Sequence, residues 1–367
     1  MKRFLLNLIK RPIAFGSLIV LFLLYSFMLL GEFISPYTQE TTFKNHSYSP
    51  PSLVFYSKKY GFAPQVQKRI LIDEVNYKYA RIKGEFYKVS FFVKGPKYKL
   101  CGLISTNIHL FGINAPYEEN GEMWEQNGRN FPVFLFGSDH LGRDLFSRIL
   151  YGSRISLTIG FIGVFISMTL AIVLGGLAGF YGGFIDWLVM RFAEFFILIP
   201  GLYLILFLRS ILSRNMDSGQ SFLIITMILS FVSWPSSARL IRGMVHSVKR
   251  EDYISNAILE GIPSLIVIIR HIIPQLSSIL IISITLGIPS FILGETVLSY
   301  LGLGIVDPAV SWGSLINREI TTITNLQHYP WFLIPGLFLL ITTLSFNFLG
   351  DLLRDTLDPY FKDRSIT

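Results

Sequence analysis

Asp139, Arg143, Asp144 and Arg148 set two acids and two bases at a spacing that a helix would bring onto adjoining parts of its surface. Such a group can brace a helix as an ion-pair network, or it can meet a charged ligand or partner; bracing is the expected role. Glu194 and Glu295 are the other acids to weigh, because each lies in or beside an apolar run. A carboxylate there is costly and often functional, as in an ion-coupled carrier. Arg191 stands three residues before Glu194, so pairing on one helix face accounts for that acid. Glu295 falls near the end of its run, where water is expected to reach it.

Chemistry of other kinds finds no residues to rest on. No Gly-Lys dipeptide occurs, so the phosphate cradle that needs a glycine-rich loop and a lysine is missing. There is no His-Glu-x-x-His pattern, no Cys/His cluster and no Gly-x-Ser-x-Gly elbow. Cys101 is the one cysteine, which excludes an intrachain disulfide. The expectation is a chain with no catalytic residue, no metal and no cofactor of its own.

The elements that must position these residues are apolar. Charged residues make up 15% of the 367-residue chain, against about 25% in soluble globular proteins, and the mean hydropathy is +0.51. Six windows approach the length needed to cross a bilayer as helices: 13–30, 155–180, 187–208, 222–238, 276–293 and 331–349. Pro200 and Pro235 are expected to break the third and fourth of them. The first window is longer than the about 7–15 residues of a signal-peptide core, so an uncleaved anchor is expected.

Lys and Arg in short loops set the orientation. With the N-terminus inside, the inner set is Lys2, Arg3, Lys10 and Arg11, then Arg239, Arg242, Lys249, Arg250 and Arg270, then Arg354, Lys362 and Arg364. The short outer loops hold Arg209, Arg214 and Arg318. Both termini are therefore expected on the cytoplasmic side. This scatter of charge also accounts for the net +8 without a nucleic-acid-binding surface.

Five segments follow. Residues 1–35 hold the N-terminus and first span. Residues 36–136 are soluble in character, with aromatic and β-branched stretches at 75–79 and 85–93, and read as a largely β extracytoplasmic insert. It could dock a partner or simply pack on the membrane part. Residues 137–152 read as an outer-face helix, 153–350 as the remaining spans and 351–367 as a cytoplasmic tail. Within the core, 239–275 is a long cytoplasmic loop. Asp252 can cap a short helix over 253–260, Gly261 suits its left-handed end, Pro263 suits the first turn of a second helix and Pro274 separates that helix from the fifth span. An apolar helix pair of this kind can lie in the bilayer interface or dock into a groove on another protein.

Ala257, Gly261 and Ile272-Ile273-Pro274 have the spacing of the EAA loop of bacterial ATP-binding-cassette importer permeases, which this loop resembles. The wider likeness is to the C-type permease of the dipeptide and oligopeptide subfamily. It is carried by Gly137-Ser138-Asp139-His140-Leu141-Gly142-Arg143-Asp144, with Arg148, then by Gly179-Phe180-Tyr181-Gly182-Gly183, Ser233-Trp234-Pro235, Leu298-Ser299-Tyr300-Leu301-Gly302-Leu303-Gly304, Ser311-Trp312-Gly313 and Asn347-Phe348-Leu349-Gly350-Asp351. The resemblance implies an all-α, six-helix type I importer permease fold in a bacterial cytoplasmic membrane. It also implies a second, B-type permease as partner, two ATPase subunits that hold ATP-Mg, and an extracytoplasmic solute-binding protein. Tyr253, Ala257, Gly261, Arg270, His271 and Pro274 then belong to the ATPase-coupling loop, with Arg270 and His271 facing the ATPase or phospholipid. Gly137, Asp139, Gly142, Arg143, Asp144 and Arg148 form the outer-face motif. Ser255-Asn256-Ala257 stands where the family has Glu-Ala-Ala, so the acidic contact to the ATPase is either missing or supplied elsewhere, as by Glu251 or Asp252. A secondary transporter using Glu194 or Glu295, and a scaffold displaying the insert, are the rival readings.

Overall fold

The long apolar runs become helices because only a helix satisfies its own backbone without water. The computed structural model describes residues 11–100, 102–113, 132–212, 217–320 and 323–357. Lys2, Arg3, Lys10, Cys101, Arg214, Lys362 and Arg364 lie outside them. Among the described residues five helices are long and apolar enough to cross a membrane: α1 (Pro12–Leu29), α3 (Leu145–Tyr181), α6 (Ser218–Val248), α9 (Ser277–Tyr300) and the Pro330–Leu357 stretch that ends in α12 (Ile334–Leu357). The third window is instead a bent pair, α4 (Gly183–Leu198) and α5 (Gly201–Leu212), turned by 92° at its break. Pro200 sits at that break as expected. Pro235 does not break α6: it lies buried inside a continuous helix, where a proline removes one backbone bond and surrounding contacts can hold the turn.

The chain forms two compact units, one comprising 22–157 and 299–340, the other 1–21, 158–298 and 341–367. The first carries the insert, a four-stranded antiparallel sheet in the order β1 (Leu53–Ser57), β2 (Gly61–Asp73), β3 (Lys78–Leu100), β4 (Ile104–Ile113). The first part of β3 pairs with β2, Lys88 opposite Gln65, and the rest pairs with β4, Val89 opposite Ile113. Val66, Val89 and Val133 form its buried centre. The short helix α2 (Gly31–Ile34) follows α1, and α10 (Trp312–Glu319) and α11 (Ile323–His328) precede the last span.

Residues 137–152 are not a separate helix. Gly137 and Gly142 adopt positive φ, +86° and +75°, so 137–144 turns tightly, and α3 runs from Leu145 through to Tyr181 without a break. A Cβ on Gly142 would stand 2.2 Å from the Phe43 carbonyl oxygen.

In the other unit, Met168, Ala171 and Phe180 of α3 pack with Trp234, Ala238, Ile241 and Val245 of α6. Glycine permits the close approach: a Cβ at Gly175 would meet the Ala238 carbonyl oxygen at 2.5 Å, and one at Gly179 the Arg242 oxygen at 2.6 Å. The expected 239–275 loop begins as helix, since α6 continues to Val248. Residues 351–357 likewise continue α12. Glu295 is not wet: its side chain lies in α9 with 0% exposure.

Candidate functional site

The motif at 137–148 folds as a buried ionic knot. Ser138 binds the backbone of the segment after α2, its N–H donating to the Ser49 carbonyl at 2.9 Å and its hydroxyl accepting from the Ser49 N–H at 2.7 Å. This fixes Asp139, which is fully buried. Its Oδ1 accepts from the N–H groups of Leu141 and Arg143, at 2.9 and 2.8 Å. Its Oδ2 accepts from Arg143 Nε at 2.6 Å and from Arg148 Nη1. Asp144 caps α3, accepting from the Ser147 N–H at 2.8 Å; burial pushes its carboxyl up to about 7.

Four further residues complete the knot. Asp307 Oδ1 pairs with Arg318 Nη1 and stands 3.7 Å from Arg143 Nη1 and 3.6 Å from Arg148 Nη2. Burial works to raise the Asp307 carboxyl, but Arg318, Arg143 and Arg148 outweigh it and hold it below the usual carboxylate range. His140 Nδ1 meets Glu319 Oε1 at 2.8 Å. That bond is the main cause that raises the imidazole above its ordinary value.

Asp139, His140 and Glu319 bring ligand-type atoms within 4.8 Å of one another. Arginine and amide hydrogens already occupy the Asp139 oxygens, and Arg143 and Arg148 would repel a cation. The arrangement therefore suits a brace. The structure brings together Asp139, Arg143, Asp144 and Arg148, though through a glycine turn and not by helical spacing. Sequence reading missed Asp307, Arg318 as an ion-pair partner, and Glu319, all of which lie far along the chain with no local pattern to mark them.

The second site is the pair of short helices after α6. Lys249 Nζ donates to the Phe180 carbonyl at 2.5 Å and closes α6. Helix α7 (Asp252–Leu259) then begins at Asp252, with Glu251 at the cap position and no side-chain cap bond, so Asp252 is inside the helix and not its cap. Gly261, at φ +81°, ends it. The Gly261 N–H donates to Ile258 O at 3.0 Å and the Ile262 N–H to Ala257 O at 3.2 Å, the paired bonds of a Schellman end. Pro263 precedes α8 (Ser264–Gln275) at its cap position.

A π-helical turn, Ile268–Ile272, interrupts α8. It is a local irregularity common at functional sites. Pro274 lies in the helical turn Ile273–Gln275, and the break before α9 falls one residue past that turn, at Leu276. One face of the pair is anchored: Ile254, Ala257, Val267, Ile268 and Ile272 join the buried cluster of α3 and α6. The other face is open, with Leu259 84%, Leu265 58% and Ile269 64% exposed. Arg270 and Pro274 are exposed and His271 is half-buried. Tyr253 is partly exposed, and its hydroxyl donates to Gln275 Oε1. In the same unit Glu194 accepts from Arg191 at 2.8 Å, as the spacing predicts.

The chain combines apolar helices of membrane-crossing length with an anchored helix pair open on one face, and sequence comparison identifies its kind. Residues 171–363 match the family described as the binding-protein-dependent transport system inner membrane component. Residues 1–51 match the N-terminal TM domain of oligopeptide transport permease C. The chain belongs to this family of permeases, the membrane components of ATP-binding-cassette importers, and it has their type I fold with a sheet inserted after the first helix.

Its relatives include the oligopeptide transport system permease protein OppC of Haemophilus influenzae, 38% identical over 231 residues, covering 63% of this chain and 71% of the relative. The dipeptide transport system permease protein DppC of the same organism is 35% identical over 286 residues, covering 74% and 94%. The glutathione transport system permease protein GsiD of Pectobacterium atrosepticum is 37% identical over 226 residues, covering 62% and 72%. These relatives are transport permeases. The resemblance read from the motifs is borne out, and the chain is a multi-pass membrane protein.

Proposed function

We propose that this permease imports peptides, oligopeptides or dipeptides, by alternating access. It pairs with a second, B-type permease to enclose the path, and two cytoplasmic ATPase subunits that bind ATP-Mg drive it. Both termini and the α7–α8 pair lie on the cytoplasmic side, and the sheet lies outside, where a solute-binding protein delivers cargo. The names of the oligopeptide and dipeptide relatives support the cargo, and the distribution of Lys and Arg supports the orientation.

One observation carries the coupling role. The α7–α8 pair is packed on α3 and α6 by one face while Leu259, Leu265 and Ile269 stand exposed on the other. A partner seated on the open face would move the helices through the packed one. ATP binding then biases the permease by the ATPase dimer's different affinity for its two states. With Ser255-Asn256 where the family has an acid, Glu251 or Asp252 supplies the acidic contact.

Co-purification from native membrane, wild type against Gly261→Pro, tests this. An ATPase and a second permease are expected with the wild type, and loss of the ATPase with the variant. Wild type recovered alone, with transport that follows an ion gradient, would overturn the reading. Buried Glu295 would then be the group to examine.

A further inference from the structure

The stretch 86–113 of the insert holds Lys88, Lys94, Lys97 and Lys99 and no acid; the insert's acids lie outside it, at Glu40, Asp73, Glu74, Glu85, Glu118, Glu119, Glu122 and Glu125. The paired part of the β3–β4 hairpin therefore carries basic side chains alone. Around a register shift between Lys94 and Tyr98 of β3, Val93, Pro96 and Tyr98 are buried while Lys94, Lys97 and Lys99 are exposed. At the tip Leu100 pairs with Ile104, and Leu103 and Ile104 are 87% and 64% exposed.

The hairpin is fastened where spans end. His109 of β4 sets Nδ1 2.5 Å from the Ser35 carbonyl oxygen and Nε2 3.0 Å from that of Pro96. Ser35 directly follows α2, which Leu30 alone separates from α1. The ring of Phe111 lies 5.9 Å from that of Phe146 in the first turn of α3, and Phe92 lies 6.2 Å from Phe33. Gly95 makes room for this clasp, since a Cβ there would stand 2.6 Å from His109 Cδ2. The tip is five residues beyond His109, about 17 Å along the strand.

We propose that the β3–β4 hairpin is a membrane-surface anchor. Its lysine face and apolar tip bind the anionic phospholipid headgroup layer beside the ends of α1 and α3. The composition favours lipid over an acidic protein. Lysine is depleted in protein interfaces, whereas lysine stems beside exposed aliphatics suit a bilayer surface. The surface is also already within reach, because the hairpin is tethered to two spans. Each lysine near an anionic surface is expected to strengthen the contact roughly fivefold.

The test uses the full chain with Cys101→Ser and Leu103→Cys, labelled with an environment-sensitive fluorophore. It is reconstituted in nanodiscs of phosphatidylcholine alone or mixed with phosphatidylglycerol, each doped with a lipid that carries a quencher near its headgroup. Strong quenching is expected in the anionic discs, weakened by salt and by Lys94→Glu, Lys97→Glu and Lys99→Glu together. The salt series on the unsubstituted lysines keeps the test valid where the triple variant misfolds. Absence of quenching in both discs, or equal quenching in both at all salt, would overturn the proposal. A spectral shift seen only on adding a soluble acidic binding protein would overturn it in favour of a protein partner. Quenching that appears only after Glu118, Glu119, Glu122 and Glu125 are changed to Gln would overturn it by assigning the lysines to the chain's own acidic segment.

Discussion

Arg148 and Asp139 form an ion pair in which neither side chain reaches solvent, at 1% and 0% exposure. Taking two charges out of water is costly unless their remaining polar atoms are also met. Here Asp139 accepts from Arg143 and two backbone N–H groups besides, whereas Arg148 Nε and Nη2 are buried without a hydrogen-bond partner. Removing one partner leaves the others buried and uncompensated. Asp139→Ala is therefore expected to lower stability by about 3–5 kcal/mol, read as a fall in the thermal unfolding midpoint of the purified chain. Asp139→Leu with Arg148→Met should recover part of the loss; a double variant no better than the single would contradict the account.

His140 ties the motif turn to Glu319 and its imidazole is raised above the ordinary value, chiefly by that hydrogen bond. A raised group contributes stability in full below its unfolded value of about 6.5, and the contribution fades as pH rises through the higher folded value. The unfolding midpoint should fall with pH across that window, and His140→Gln should flatten the slope. An unchanged slope in the variant would count against the pair.

Asp144 gives the same sign by a different route. Burial raises its carboxyl to about 7, and one of its oxygens is buried without a hydrogen-bond partner. The ionised form is thus the disfavoured one, and its penalty grows as pH climbs from the carboxylate range through 7. Asp144→Asn keeps an acceptor for the Ser147 N–H without the charge. Its unfolding midpoint should match wild type at acid pH and exceed it above neutrality. A loss of equal size at both ends would show that the carboxylate itself is needed.

These groups show which parts of the molecule were legible in the sequence. Five of the six apolar windows fell on span-length helices because length and hydropathy act locally, while the third became the bent pair α4–α5; Gly261 ended α7 because its left-handed turn is a property of that residue and its neighbours. Of the four charges at 139–148, Asp139, Arg143 and Arg148 pair with one another, whereas Asp144 turns to Ser147, and the geometry is a turn and not a helix face. Gly137 and Gly142 make a turn there, and that signal stood in the sequence beside the charges. Pro235 kept its helix because packing in the membrane domain outweighed a local preference. Asp307 and Glu319 could not be foreseen, since only the fold brings them to Arg143, Arg148 and His140.

Gly142 and Gly261 separate backbone strain from collision. Both have positive φ, +75° and +81°. A Cβ at Gly261 meets nothing within 4 Å, whereas one at Gly142 meets the Phe43 carbonyl oxygen at 2.2 Å. That oxygen is backbone, in a segment that the Phe43 N–H bond to Gly142 O already holds at 3.1 Å, so it has little room to yield. Gly261→Ala should cost only the left-handed conformation, about 1–2 kcal/mol. Gly142→Ala adds the clash and should lose at least about 1–3 kcal/mol more, together with the ion pairs that the turn positions. Thermal unfolding of the two variants in one detergent measures the difference. Equal losses would mean that the turn at 137–144 can reshape around a side chain, and the buried knot would then be a softer support for α3 than its contacts imply.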